Sequence, residues 1–245
     1  MSDRDRLERL IGIAGMLITP ELRKMLPLGA PMIEHYQALT GFPPFRWQHR
    51  LWSELVAGNL PGGIDIPTGL GKTAIIPIWL LAIAAQCPGL TLPRRLVYVV
   101  NRRTVVDQAT DIAQRIRERL PAVQQVHQAL GKLSADPANP LAISTLRGEH
   151  QDNKEWQTDP GRAAIIIGTV DMIGSKLMFA GYQSSQRMRP FLAGLIGQDV
   201  LLIHDEAHLT PAFGHLIRQI IQTQRKQGNS RPLRMMELSA TRRAS

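Results

Sequence analysis

The chain has 245 residues, 44% of them apolar, enough to bury one large core or two small ones. Its 29 Lys and Arg against 20 Asp and Glu leave a formal charge of +9, which favours a polyanionic partner, most simply nucleic acid; a basic surface kept for solubility is the other reading. The single cysteine, Cys87, excludes an internal disulfide framework and a cysteine-cluster metal site, and it fits a reducing, cytosolic compartment.

In chain order, the N-terminus "MSDRDRLERLIGIAGML" places Asp3, Asp5 and Glu8 ahead of a short apolar run. A signal peptide needs a basic start, so this reads as an ordinary helix. The first forty or so residues are helical in pattern and are punctuated by Pro20, Pro27 and Pro31. They are expected to form a helical extension, residues 1–41, on a body spanning 42–245. The longest apolar stretch, "AIIPIWLLAIAA" at 74–85, is roughly half a membrane span. It reads as a buried core helix, and no membrane partner is expected. Strands are expected at 62–66, 95–100, 163–169, 199–206 and 233–241, where apolar and β-branched residues run almost without a break. Helices are expected at 72–86, 104–119, 171–179 and 211–226. Residues 131–162 are polar and loop-rich, with room for one short strand, "LAISTL" at 141–146. Alternating strand and helix predicts a three-layer α/β/α domain around a mainly parallel sheet.

Two stretches carry chemistry. "DIPTGLGKTAII" (65–76) ends like the phosphate-binding pattern G-x-x-x-x-G-K-[ST], but its first position holds Ile66. A strand leads in and a helix leads out, and a helix N-terminus offers free N–H groups and a positive dipole end to phosphate. Thr68, Gly69, Leu70 and Gly71 would form the cradle. Lys72 would neutralise the β- and γ-phosphates of ATP, and Thr73 would offer its hydroxyl to Mg2+. The second stretch, "LLIHDEAH" (201–208), puts Asp205 and Glu206 at a strand end, where parallel sheets carry their ligands. Asp205 is placed to hold Mg2+ through water, and Glu206 to orient and deprotonate the attacking water.

"PTGLGKT", "DEAH" and "SAT" (239–241) resemble motifs I, II and III of superfamily 2 helicases. The resemblance implies a RecA-like P-loop fold. In that superfamily an alanine commonly stands at the first position of the loop, so Ile66 departs from glycine as the family already does. "FRWQ" (45–48) lies where the adenine-reading Q motif would lie, which implies that Gln48 recognises adenine; the alternative is a surface glutamine beside a buried Trp47. "VYVVNRRTVVDQ" (97–108) and "IIIGTVDMI" (165–173) are similar to motifs Ia and Ib, whose turns grip one nucleic-acid strand. Asn101, Arg102, Arg103 and Thr169, with Arg147 of "STLRGE", are the candidate contacts. His208 would couple the ATP site to Ser239 and Thr241. The flanking text, "YVVNRRTVVDQ", "LRGE", "GTVDMIGSKLMFAGY" and "LLIHDEAHL", is most similar to the helicase–nuclease of type I CRISPR systems, an antiviral DNA-degrading enzyme.

Together these imply a DEAH-type, ATP-hydrolysing DNA helicase whose partners are single-stranded DNA and a guide-RNA surveillance complex. Such a motor needs a second RecA-like domain with motifs IV to VI. The sequence stops at "SATRRAS", so that domain and the nuclease are expected on another chain or missing, with little activity from this chain alone. Two alternatives stay open: a complete ATPase formed by self-association, with Arg242 or Arg243 reaching a neighbour's site, and a non-catalytic nucleic-acid- or guide-complex-binding fragment.

Overall fold

A computed structural model describes residues 29–240, apart from 68, 88, 148–149, 152 and 182–183. Thr68 and Thr241 of the candidate site, and Arg242 and Arg243, therefore lie outside the described residues.

Among the described residues two helices come first, α1 (Gly29–Thr40) and α2 (Arg46–Val56). Strand β1 (Gly63–Asp65) leads through the glycine loop into a 3-10 turn, Lys72–Ala74, and then α3 (Ile75–Gln86). Next come β2 (Arg95–Val100), α4 (Arg103–Arg119), α5 (Gln124–Gly131) and β3 (Leu141–Arg147). They are followed by the short β4 (His150–Gln151), α6 (Glu155–Thr158), β5 (Ala163–Thr169), α7 (Val170–Leu177) and α8 (Arg189–Gly197). Strand β6 (Val200–Asp205), α9 (Pro211–Lys226) and β7 (Arg234–Ser239) complete the described chain.

The sheet runs β1-β7-β6-β2-β5-β3-β4, and every pairing is parallel except that of β4 with β3. Strand alternation sends residues to two separate cores. Leu96, Tyr98, Val100, Ile165, Ile167, Leu201 and Ile203 face one core, together with α1 to α5. Val97, Val99, Ile166, Val200 and Leu202 face the other, together with α7, α8 and α9. That double burial explains why the strands read as continuous apolar runs. It also makes the domain the expected three-layer α/β/α fold. Met32, Tyr36 and Leu39 of α1 belong to the first core, so this helix is packed into the body.

Helix α3 is buried along its length from Ile75 to Ala84, as a helix that is apolar all round must be. Pro77 is tolerated because it lies in the first turn, where N–H groups have no intrahelical partner. Trp79 donates its indole N–H to the Pro93 carbonyl at 3.0 Å. Cys87 sits just beyond the helix and donates its thiol to the Ala129 carbonyl at 3.0 Å. Among the described residues no helix is long and apolar enough to cross a membrane.

Several boundaries differ from expectation. The helix expected from residue 72 begins as a 3-10 turn, because Gly71 enters it from the left-handed region. The strand expected over 233–241 is shorter within the described residues, Arg234–Ser239. The polar stretch 131–162 holds a full strand, β3, paired with β5.

Candidate functional site

The phosphate loop hangs from two strands. Ile66, just beyond β1, is buried and donates its N–H to the Ser239 carbonyl of β7 at 2.8 Å. The position that the motif gives to glycine is therefore an apolar anchor with its backbone already bonded. Gly69 and Gly71 have φ of 87° and 73°, in the left-handed region that favours glycine. Between them the Leu70 N–H donates to the Pro67 carbonyl at 3.3 Å, and the Leu70 side chain is exposed. No side chain caps the turn Lys72–Ala74, so its start is suited to an anion.

Gln48 supports this loop from behind. It is buried while Trp47 is only half-buried, which reverses the alternative of a surface glutamine beside a buried tryptophan. Its Oε1 accepts the Phe45 N–H at 2.8 Å, closing the first turn of α2. Its Nε2 lies 3.4 Å from where a Cβ on Gly71 would stand. Burial pushes the Tyr36 phenol of α1 up to about 12, and the Gln48 side chain acts on it in the opposite direction. The glutamine thus caps the start of α2 from a buried position close to Gly71 of the loop.

Strand β6 delivers the acidic pair. Asp205 is its last residue and is buried; Glu206 follows at φ 50°, a left-handed conformation that a non-glycine residue adopts at a cost. That turn aims Glu206 at the loop. Its carboxylate pairs with the Lys72 ammonium, and its Oε2 lies 3.5 Å from His208 Nδ1. Asp205 Oδ1 accepts the Glu206 N–H at 3.0 Å, and Oδ2 accepts the Tyr98 hydroxyl at 2.8 Å. Burial raises the Asp205 carboxyl above its ordinary range; the Tyr98 bond and the Lys72 charge pull it back, while Glu206 pushes it up. Burial, together with the nearby Asp205 charge, holds the Tyr98 phenol well above its usual range. The Thr73 side chain draws that phenol part of the way back down. Nothing in the local sequence marks Tyr98 as part of the site.

The fold therefore brings together Lys72, Thr73, Asp205, Glu206 and His208. An uncapped turn, an ammonium, a hydroxyl and a buried carboxylate converge, a donor set that fits a magnesium–nucleoside triphosphate. Ser239 lies beside the loop and accepts from Ile66 through its carbonyl.

The basic turn lies further along the same edge of the sheet. β2 ends at Val100, opposite Thr169 at the end of β5. Arg102 and Arg103 follow at the start of α4, and both are exposed. Arg147 ends β3, on the far side of β5. Thr169 is nearly buried and caps α7, accepting the Met172 N–H at 3.4 Å. Its side chain thus already serves its own helix. Asn101 Oδ1 accepts the Thr210 hydroxyl at 3.3 Å, and Thr210 Oγ1 is 2.8 Å from His204 Nε2. This polar chain runs from the basic turn to the residue preceding Asp205.

A comparison with curated proteins returned no match. Among protein families, the model described as "Type III restriction enzyme, res subunit" matches residues 42–243. That stretch includes the glycine loop, the basic turn and the acidic strand end. The chain belongs to this family, and residues 42–243 form an ATP-dependent helicase-type domain with a RecA-like P-loop fold.

Proposed function

We propose that this domain binds ATP with Mg2+ and couples it to movement along DNA. The meeting of Lys72 with the Asp205–Glu206 pair across 134 residues of sequence carries this reading. Gly69, Gly71 and the start of the 3-10 turn surround the phosphates, with Thr68 and Leu70 completing the loop. Lys72 stabilises charge on the β- and γ-phosphate oxygens. Thr73 and Asp205 would hold Mg2+, which when bound would supply positive charge against the phosphates. Glu206 orients a water and takes its proton as the water oxygen bonds to the γ-phosphorus; the bond from that phosphorus to the bridging oxygen breaks, giving ADP and phosphate. His208, whose Nδ1 lies 3.5 Å from Glu206 Oε2, couples the ATP site to Ser239 and Thr241. Gln48 reads adenine or, from its buried place close to Gly71, braces the loop. Calorimetry on this chain is expected to show ATP binding that strengthens with Mg2+; no binding would overturn the reading.

The nucleic-acid side of the proposal rests on the exposed Arg102 and Arg103, with Asn101, Arg147 and the helix starts beside Thr169, at the strand ends next to the ATP site. Replacing Arg102 and Arg103 together with alanine should weaken single-stranded DNA binding. It should also flatten the salt dependence of log K by about 1.4, or about 0.7 for each lost phosphate partner. An unchanged slope, measured by fluorescence anisotropy from low to moderate salt, would show that this turn does not touch the backbone.

The finer reading is a DNA motor of CRISPR interference, supported by the wording of residues 98–108, 146–149, 168–182 and 201–209. In it the partner is a guide-RNA complex that has opened its target DNA, and a second RecA-like domain completes the ATP site. Retention of the chain on such an opened complex, but not on the closed duplex, is the expected outcome. Equal retention on both would count against it.

A further inference from the structure

Strand β2 is buried from end to end, and within Leu96–Val100 only Tyr98 carries a polar side-chain atom. Phenylalanine would fill the same space. A buried hydroxyl is unfavourable unless it is bonded, so the oxygen needs a partner. Tyr98 stands opposite Ile203 in the parallel β2–β6 register. It therefore shares a face with Asp205, two residues further along β6. The tyrosine reaches diagonally across to the strand end and donates to Asp205 Oδ2 at 2.8 Å. The Glu206 N–H holds Oδ1 at 3.0 Å. Both carboxylate oxygens are thus oriented by the protein, and each still has acceptor capacity for a ligand.

We propose that Tyr98 is a positioning residue for the magnesium site, its hydroxyl setting the angle of the Asp205 carboxylate. This role rests on the magnesium–ATP reading of the site. An acidic side chain at a strand end can swing about two torsions. A fixed one presents its oxygen without the ordering cost at the moment of binding. The fold supplies that restraint from the central strand of the sheet, from a residue that need not itself touch the nucleotide.

Tyr98→Phe keeps the ring and removes only the oxygen. In thermal-shift titrations it should raise the magnesium–ATP concentration for half-maximal stabilisation by about tenfold, the usual scale for losing such an outer partner. Stabilisation by ATP in excess chelator should stay at the wild-type midpoint. In an Asp205→Ala background the same change should shift neither midpoint, because the carboxylate it orients is gone. A wild-type magnesium–ATP midpoint in Tyr98→Phe, or an equal shift with and without Asp205, would overturn the role and leave Tyr98 as packing. If the wild-type chain gains nothing from magnesium–ATP, the site reading fails and the role falls with it.

Discussion

Lys72→Ala is expected to abolish the thermal stabilisation that ATP with magnesium gives the wild-type chain. A ligand that binds only the folded state stabilises it by RT ln(1 + [L]/Kd), about 2.7 kcal/mol at a hundred times Kd. In the proposed site much of that affinity comes from one ammonium beside the phosphates. The side chain is placed for this: it is only 10% exposed, and it already faces a carboxylate, that of Glu206. Alanine removes the positive charge and leaves Glu206 facing the phosphates alone, so like charges meet where opposite charges met before. The cost to the ligand-free fold should be small, about 1 kcal/mol or less, since Glu206 remains a third exposed and solvent screens the pair. A scan with and without nucleotide separates the two effects. A full ATP-dependent rise in the variant would mean that the loop holds no phosphate, and the functional reading would fail.

The second large effect is a dependence of stability on pH that originates at His204. Its ring is fully buried, packed edge-on against Phe213 at 5.1 Å, and 2.8 Å from Thr210. Burial lowers its pKa from 6.5 to about 4; Glu237 pulls upward and Arg218 downward. The folded state therefore favours the neutral ring, while the unfolded chain takes up a proton near the ordinary value. The stabilisation is complete above about pH 6.5 and is lost as the pH falls towards 4, at which point about 3 kcal/mol has gone. Asp205 works in the opposite direction, because its raised pKa makes the folded state hold a proton more readily as acid is added. That contribution is common to a His204→Gln variant and cancels in the comparison. Urea unfolding in chelator at pH 7, 5.5 and 4 should show the wild type losing more stability than the glutamine variant. Parallel curves would mean that the ring titrates normally.

Much of this was legible in sequence because the relevant signals are local. A strand, two glycines, a lysine and a threonine stand within a dozen residues, and the acidic pair closes an unbroken apolar strand. The runs at 95–100, 163–169 and 199–206 read clearly because both of their faces are buried. Helix α8 was not legible: "RPFLAGLIG" carries a proline and two glycines, which suggest a loop, and only its packing against α7 and β6 makes it a helix. Strand β3 was half-visible, since Ser144 and Thr145 dilute its apolar run, although both are buried. Thr169 looked like a phosphate partner because a threonine at a helix start serves equally well as a cap. Tyr98 was invisible in principle. Its partner lies 107 residues away on another strand, and no spacing rule links a diagonal pair across a parallel sheet.

Ile66 bears on how such loops are recognised and repaired. A redesign guided by the general motif would install glycine there and score it as an improvement. Here the substitution would empty a space beneath the first strand and loosen backbone whose N–H is already committed to Ser239. The motif's first letter describes a backbone conformation rather than an amino acid, and a chain that reaches a working conformation by anchoring has no use for the freedom that glycine provides.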